Sequence, residues 1–127
     1  MREIVREVCR RERVTNALIS VAFVTNRRMA RMNREFLGHR GPTDVITFEL
    51  GNDDAMPGST APVGDIYIAP EVARSNALEH GVPVRAELVR LVVHGTLHVL
   101  GYSHDENEDR MTGDMWRRQE RIVAALT

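Results

Sequence analysis

Hydrophobic and polar positions change spacing several times along the chain, which predicts helices mixed with strands. Apolar residues at helical spacing, bounded by capping residues, glycines and prolines, predict helices over about residues 2–14, 27–36, 70–80, 83–100 and 105–126. Short apolar runs predict strands over 17–24, 45–50 and 64–69, and the first strand is expected to be mostly buried. The last two strands are separated by a polar, turn-rich connection and are expected to pair antiparallel.

These elements favour an α+β fold, with a small mixed sheet of three to four strands covered by about five helices. The helix at 83–100 is apolar almost all round, so we expect it to be central and buried. The other helices have one apolar face. Their expected core residues are Ile4, Val5, Val8, Cys9, Met29, Met32, Phe36, Met111, Met115, Ile122 and Leu126.

Length and composition are those of one globular domain. The 127 residues are 43% hydrophobic and 28% charged, which predicts a single domain over residues 1–127. No apolar run has the length of a membrane span, and no signal-peptide pattern opens the chain. The single cysteine, Cys9, excludes an internal disulfide and fits a reducing, cytoplasmic compartment.

The charge is distributed unevenly, although the formal net charge is only −1. All 17 basic residues are arginine, and ten of them lie in residues 1–40 against four glutamates. Arginine makes bidentate contacts with phosphate, so this basic third could form a phosphate-facing surface. The alternative, preferred for most of these arginines, is an ordinary solvated surface.

Three of the five histidines fall within residues 94–104. His94 and His98 are four residues apart, which on a helix places them on one face with Cβ atoms about 6 Å apart. His104 follows Gly101, where the chain can turn back at the end of the helix. Three imidazoles can bind one Zn²⁺ at roughly 2.0–2.1 Å and leave a position open for water. The alternative is two ordinary helix histidines and one loop histidine.

The histidine spacing is that of the long zinc-protease signature, H-E-x-x-H-x-x-G-x-x-H, except that Gly95 stands at the position of the general base. A metal site is therefore expected on the central helix, and a peptidase is disfavoured. Three neutral ligands leave the full +2 charge of the ion, which favours an anionic oxygen beside it and makes phosphodiester cleavage the natural reaction. Zinc sites with three histidines also hydrate carbon dioxide, so the ligand set alone leaves both reactions open.

The segment at 94–104, H-G-T-L-H-V-L-G-Y-S-H, resembles the H-G-x-L-H-L-x-G-Y-D-H signature of the endoribonuclease YbeY family. The segment P-T-D-V-I-T-F at 42–48 is similar to the family's P-T-D-V-L-S-F, and G-D-I at 64–66 is similar to its G-D-I. Residues 33–36 resemble its L-N-x-x-[YF]. The order and spacing of these segments agree with the family over roughly residues 17–126.

The resemblance implies a cytoplasmic, zinc-dependent endoribonuclease that is specific for single strands. It implies roles in maturation of the 3′ end of small-subunit rRNA and in ribosome quality control. One Zn²⁺ would be held by His94, His98 and His104, and the partners would be single-stranded RNA, small-subunit rRNA and ribosomal subunit proteins. No membrane contact is expected. The alternative function is a ribosome-assembly factor that binds RNA, holds a mainly structural zinc and has little hydrolytic activity.

The chain departs from the family pattern at three places. Leu37 stands where many members have an arginine, which makes Arg40 the candidate for the catalytic or RNA-contacting arginine. Ser103 replaces the aspartate before the last histidine. Members often have a strand before the first helix, and this chain starts almost directly on the helix, so one edge strand is expected to be missing.

Three further polar residues are candidates for substrate binding. Thr43 and Asp44 could position substrate or a ligand histidine, or they could only stabilise a turn. Arg90 lies one turn before His94 on the same helix face and could contact phosphate. A salt bridge between Arg90 and a nearby acid is the favoured alternative.

Overall fold

The computed structural model describes residues 1–52, 61–102 and 113–127, and these residues contain five helices and three strands. The helices are α1 (Arg2–Arg11), α2 (Asn26–Leu37), α3 (Pro70–His80), α4 (Val84–Val99) and α5 (Asp114–Leu126). The strands are β1 (Leu18–Phe23), β2 (Val45–Asn52) and β3 (Pro62–Ile68). The predicted α+β class is confirmed. No helix of this described part combines the length and the apolar character needed to cross a membrane.

The three strands form one mixed sheet in the order β1-β3-β2. β2 pairs antiparallel with β3, as predicted, and Val45 stands opposite Ile68. β1 pairs parallel with β3, so that Leu18 stands opposite Val63. A parallel pair requires a crossover connection, and here the chain between β1 and β3 supplies it through α2 and β2.

Helix α4 is the centre of the molecule and contacts α1, α3, α5 and all three strands. It begins after the extended residue Pro83 and ends at Leu100. Nine of its 16 residues are buried, as expected for a helix that is apolar almost all round. Because an isolated helix of this length is marginal in water, its stability comes mainly from this packing.

Helix α4 packs closely on the sheet at Gly95. A Cβ atom on Gly95 would lie 2.9 Å from Cγ2 and 3.0 Å from Cδ1 of Ile66, a fully buried residue of β3. At a second glycine, Gly64 of β3, the approach is closer still, because a Cβ atom there would lie 2.5 Å from Cγ2 of Val99 at the end of α4. The missing side chains therefore allow the helix to pack directly on the strand. Gly95 faces the sheet, which explains why a glutamate has no room at this position.

Two predictions about the core are wrong because the helices cover the sheet unevenly. β1 is an edge strand and only partly buried, with Leu18 and Phe23 exposed by 56% and 48%. Phe36, expected in the core, is 61% exposed and makes an edge-to-face contact with Phe48, with ring centroids 5.3 Å apart. The other predicted core residues that the structure describes are buried or partly buried: Ile4, Val5, Val8, Cys9, Met29, Met32, Met115, Ile122 and Leu126.

Two predicted helix ends also differ from the structure. α1 ends at Arg11 rather than near Val14, because Arg13 has a left-handed backbone with φ 58° that a helix cannot continue. α5 begins at Asp114, and the predicted earlier start at Asp105 lies outside the described residues, as does Met111. Most of the turn-rich connection between β2 and β3, residues 53–60, lies outside them as well.

The contact between Gly95 and Ile66 predicts that Gly95→Ala destabilises the protein. Overpacking a core costs about 1–3 kcal/mol, and alanine regains up to about 1 kcal/mol over glycine in a helix, so we expect a net loss near 1 kcal/mol. Urea unfolding measures this loss. In the Gly95→Ala/Ile66→Ala double variant the loss should be smaller than the sum of the two single losses, because alanine at position 66 removes Cγ1, Cγ2 and Cδ1, the three atoms that the new Cβ would meet. Full additivity, or a more stable Gly95→Ala variant, would contradict the close contact.

Candidate functional site

His94 and His98 lie side by side on α4. Their ring centroids are 4.6 Å apart and the ring planes are inclined by 76°. Both side chains are partly buried, whereas the residues on the opposite side of this turn, including Gly95 and Leu97, are fully packed in the core. The backbone of a buried, rigid helix therefore fixes the two imidazoles, as the spacing of four residues predicts.

Gln119 of α5 fixes the orientation of the His94 ring. Its Oε1 lies 2.7 Å from His94 Nδ1, and Gln119 itself is only 3% exposed. An amide oxygen can only accept a hydrogen bond, so in the neutral imidazole Nδ1 carries the proton and donates it. The lone pair of the ring is then on Nε2, the form in which a histidine binds a metal. Metal-ligating histidines commonly have a partner of this kind on the other ring nitrogen.

Glu49, near the end of β2, lies beside His98. Its Oε1 is 3.8 Å from His98 Nδ1, and the carboxylate is 54% exposed. At this distance and exposure the interaction is a weak one, and it is an ion pair only when His98 is protonated. Glu49 therefore places a negative charge at the rim of the site without constraining the ring as tightly as Gln119 constrains His94.

The third predicted ligand, His104, lies outside the described residues. The part that is described turns back at Gly101, where φ is 110° and the amide of Tyr102 donates to the carbonyl of Leu97. Within the described ranges, no group of three or more His, Cys, Asp or Glu side chains is arranged to hold a metal ion. The described residues thus supply two imidazoles, and the chain reverses direction just before the third.

Glu12 holds the chain at the point where it leaves α4. It accepts hydrogen bonds from the hydroxyl of Tyr102, at 2.9 Å, and from Nη1 of Arg118, at 3.2 Å. Burial raises the pKa of Tyr102, and the hydrogen bond to the Glu12 carboxylate raises the pKa further. The three side chains join the end of α1, the end of α4 and the helix α5, and so fix Tyr102 just after the end of α4.

Two pockets share His94 and Val45 in their walls. The smaller, which we call the histidine pocket, has a volume of about 300 Å³ and is lined by Leu37, Val45, Ile46, Thr47, Glu49, His94 and His98. The larger, which we call the tryptophan pocket, has a volume of about 440 Å³. It is lined by Asp44, Val45, His80, Val82, Glu87, Arg90, Leu91, His94, Trp116, Gln119 and Glu120. The imidazoles therefore border open space large enough for parts of a substrate.

Arg90 forms salt bridges with two glutamates. A salt bridge was the favoured alternative to phosphate binding for this residue. Its Nε lies 3.1 Å from Oε1 of Glu120, and its Nη1 lies 3.5 Å from Oε2 of Glu87. Glu87 is only 5% exposed, and a carboxylate this buried needs a matching charge. Arg90 lines the tryptophan pocket, but two carboxylates already balance its charge.

Asp44 also lines the tryptophan pocket, and its neighbours hold it in a turn. The hydroxyl of Thr43 donates to Asp44 Oδ1 at 3.4 Å, and the amide of Asn76 donates to Oδ2 at 3.5 Å. The backbone carbonyl of Asp44 accepts from the amide of Ala69 at 2.9 Å. Thr43 and Asp44 thus stabilise the turn before β2, and Asp44 in addition faces the larger pocket.

Arg40 does not line either of these pockets. It lies in a third pocket together with arginines of α2, whereas Leu37 lines the histidine pocket. In the described residues, the histidine pocket has no arginine in its wall. The candidate arginine therefore lines a different pocket from the imidazoles, and Leu37 in the wall of the histidine pocket is apolar.

Analysis of the sequence missed Gln119 and Glu49. Gln119 had a detectable signal, because it lies four residues after Met115 on the apolar stripe of α5 and a polar residue there is expected to have a buried partner. Glu49 had none, because its proximity to His98 depends on how β2 packs against α4.

The pair His94 and His98 fits a metal such as Zn²⁺. Zinc accepts neutral imidazole nitrogens, and the buried amide of Gln119 selects the ring form that presents Nε2. Thr47 and Glu49 add oxygen atoms to the same pocket, while Leu37 and Val45 give it apolar walls.

Comparison with known proteins identifies one family. Residues 1–127 match the family described as Endoribonuclease YbeY. Endoribonuclease YbeY of Geobacillus thermodenitrificans is 38% identical over 130 residues, which cover 97% of this chain and 82% of the relative. Endoribonuclease YbeY of Thermotoga neapolitana is 38% identical over 117 residues, which cover 92% and 72%. The solution structure of TM1509 from Thermotoga maritima, 31% identical, superposes with a TM-score of 0.66 and covers 96% of this chain and 75% of that one.

The hydrogen bond from His94 to Gln119 predicts a defined ring tautomer in the metal-free protein. At alkaline pH, ¹⁵N spectra of the imidazole should show His94 protonated at Nδ1. Gln119→Leu removes the acceptor at nearly constant volume, so the spectrum should shift towards a mixture of both tautomers. Arg121→Leu, at an exposed position of the same helix, should leave the His94 signals unchanged. An unchanged His94 spectrum in Gln119→Leu would contradict the orienting role.

Proposed function

The chain belongs to the endoribonuclease YbeY family, and from this membership we propose that it is a zinc-dependent hydrolase of single-stranded RNA. The family is one of RNA-cleaving hydrolases with a role in rRNA processing. The proposed reaction is an endonucleolytic cut during maturation of the 3′ end of small-subunit rRNA. We also propose that the chain forms one domain over residues 1–127, acts in the cytoplasm and contributes to ribosome quality control together with ribosomal subunit proteins.

The observation that carries the proposal is the pair of imidazoles on α4. His94 and His98 lie 4.6 Å apart between ring centroids, on a buried helix and at the border of two pockets. Gln119 holds the first ring in the form that can bind a metal. We propose His94, His98 and His104 as the three protein ligands of one Zn²⁺.

Zinc, when bound, supplies a Lewis acid for the phosphoryl oxygen and lowers the pKa of a bound water to about 7. The residues of the chain prepare the site for this chemistry. Gln119 keeps the proton on Nδ1 of His94, and α4 keeps the two rings adjacent. Leu37 and Val45 give the pocket apolar walls beside the imidazoles.

Single-stranded RNA fits the site better than a duplex. The two pockets share His94 and have volumes of only about 440 and 300 Å³, so they suit a flexible strand whose bases are unstacked rather than a rigid helix. Trp116 in the larger pocket offers an aromatic surface on which a base can stack. Thr43, Asp44, Arg40 and Arg90 stay predictions as substrate-binding residues.

One observation favours the alternative of an RNA-binding assembly factor with little hydrolysis. Leu37, in place of an arginine, gives the histidine pocket an apolar wall, so the described residues provide no guanidinium there to stabilise charge in a transition state. A structural zinc, however, usually has four protein ligands, often cysteines. Three histidines and an open position suit catalysis better.

The proposal predicts cleavage of a single-stranded RNA that requires both zinc and His98. We expect zinc-loaded protein to cut the RNA. Chelated protein and His98→Ala should be slower by at least about 100-fold, more than the loss of a residue that only orients a ligand. Glu79→Ala, at an exposed position of α3 that lines neither pocket, is the control and should retain the activity of the unaltered protein.

Two other outcomes would contradict the proposed activity. Equal cleavage by all preparations would identify a contaminating nuclease. Stoichiometric zinc and retained RNA binding without cleavage would favour the assembly factor. The readout is product length on a denaturing gel, together with the zinc content of each preparation.

A further inference from the structure

Four arginines surround a pocket on the outer face of α2. We call it the arginine pocket; it has a volume of about 490 Å³ and is lined by Arg27, Ala30, Arg31, Arg34, Arg40 and Gly41. The residues from α2 follow one another at helical spacing and form a single face of the helix. The small side chain of Ala30 leaves space between the arginines, and that space is the floor of the pocket.

The fourth arginine reaches this face because the loop after α2 folds back. Gly38 and Gly41 have left-handed backbones, with φ 69° and 79°, that other residues rarely adopt. The buried side chain of Asn33 donates to the carbonyl of Gly41 at 2.9 Å, and the amide of His39 donates to the carbonyl of Asn33 at 3.2 Å. The hydrogen-bonded backbone of His39 and Gly41, on either side of Arg40 in the chain, thus holds Arg40 beside the helix.

No carboxylate of the described residues forms an ion pair with these four arginines. Other arginines of the chain do have such partners, as Arg10 has Glu7, Arg90 has Glu120 and Arg118 has Glu12. Like charges three or four residues apart on a helix repel each other and destabilise it. The cluster therefore holds a concentrated positive charge that the described part of the fold does not balance.

The arginine pocket lies next to the histidine pocket. Leu37, in the wall of the histidine pocket, is one helical turn after Arg34, in the wall of the arginine pocket. The tryptophan pocket has the opposite electrostatic character, because Asp44, Glu87 and Glu120 outweigh Arg90 there. A phosphate group near the imidazoles is therefore attracted towards α2 and repelled from the tryptophan pocket.

We propose that the arginine pocket binds backbone phosphates of the RNA that enters the histidine pocket. This inference rests on the proposed function, because it takes RNA as the substrate. The pocket anchors the strand on the α2 side, within a few nucleotides of the cleaved bond, and thereby fixes the direction in which the strand crosses the site. Contacts to phosphate are independent of sequence, so the anchor contributes affinity without selecting bases.

The test is binding of a fluorescent single-stranded RNA to chelated protein, measured by anisotropy at several salt concentrations. Arg31→Gln/Arg34→Gln should weaken binding by about 10-fold or more and reduce the salt dependence. For single strands the slope of log K against log salt becomes shallower by about 0.7 for each phosphate that the protein no longer neutralises. Arg74→Gln/Arg121→Gln removes the same charge from exposed positions of α3 and α5 and should bind like the unaltered protein.

Equal binding by the two double variants would overturn the proposal, because a general effect of net charge would then explain the affinity. A thermal melt confirms that both variants are folded. Since binding is measured without metal and without cleavage, failure of this proposal is distinct from failure of the proposed function. RNA binding that depends on Arg31 and Arg34 supports the anchor even if the protein cuts no RNA.

Discussion

The close packing of helix α4 on strand β3 is the contact on which the rest of the structure depends. It requires glycine at two facing positions, Gly95 on the helix and Gly64 on the strand, where a Cβ atom would meet Ile66 and Val99. Because the helix lies this near to the sheet, the turn that carries Gly95 also presents His94 and His98 next to β2. The same contact that stabilises the core thus positions the imidazoles.

The polar residues of the site are organised around this buried helix. Gln119 of α5 orients His94, and Glu12 of α1 holds Tyr102 and Arg118 at the end of α4. Glu87 and Glu120 bind Arg90 one turn before the first histidine. Apart from the pair Glu87 and Arg90, which lies within α4, these contacts connect α4 and its C-terminal end to α5 and α1. The helices around α4 therefore fix the side chains that border the two pockets, and packing and chemistry depend on the same element.

The elements and the histidine pair were predictable because they depend on local sequence. The apolar residues of α4 predict its burial, and a spacing of four residues places His94 and His98 together on any helix. The exposure of Phe36 and of β1 was not predictable, because it depends on how much of the sheet the helices cover. The position of Arg40 was not predictable either, because it depends on a hydrogen bond between Asn33 and Gly41 and on two glycines with left-handed backbones.

We propose that three histidines of this chain, His94, His98 and His104, hold one zinc ion and leave a position open. X-ray absorption spectroscopy of protein loaded with one equivalent of zinc tests this most directly. We expect three imidazole nitrogens and one further light ligand at roughly 2.0–2.1 Å, with one imidazole fewer in His104→Ala. A sulfur ligand at about 2.3 Å, or a spectrum that His104→Ala leaves unchanged, would contradict it.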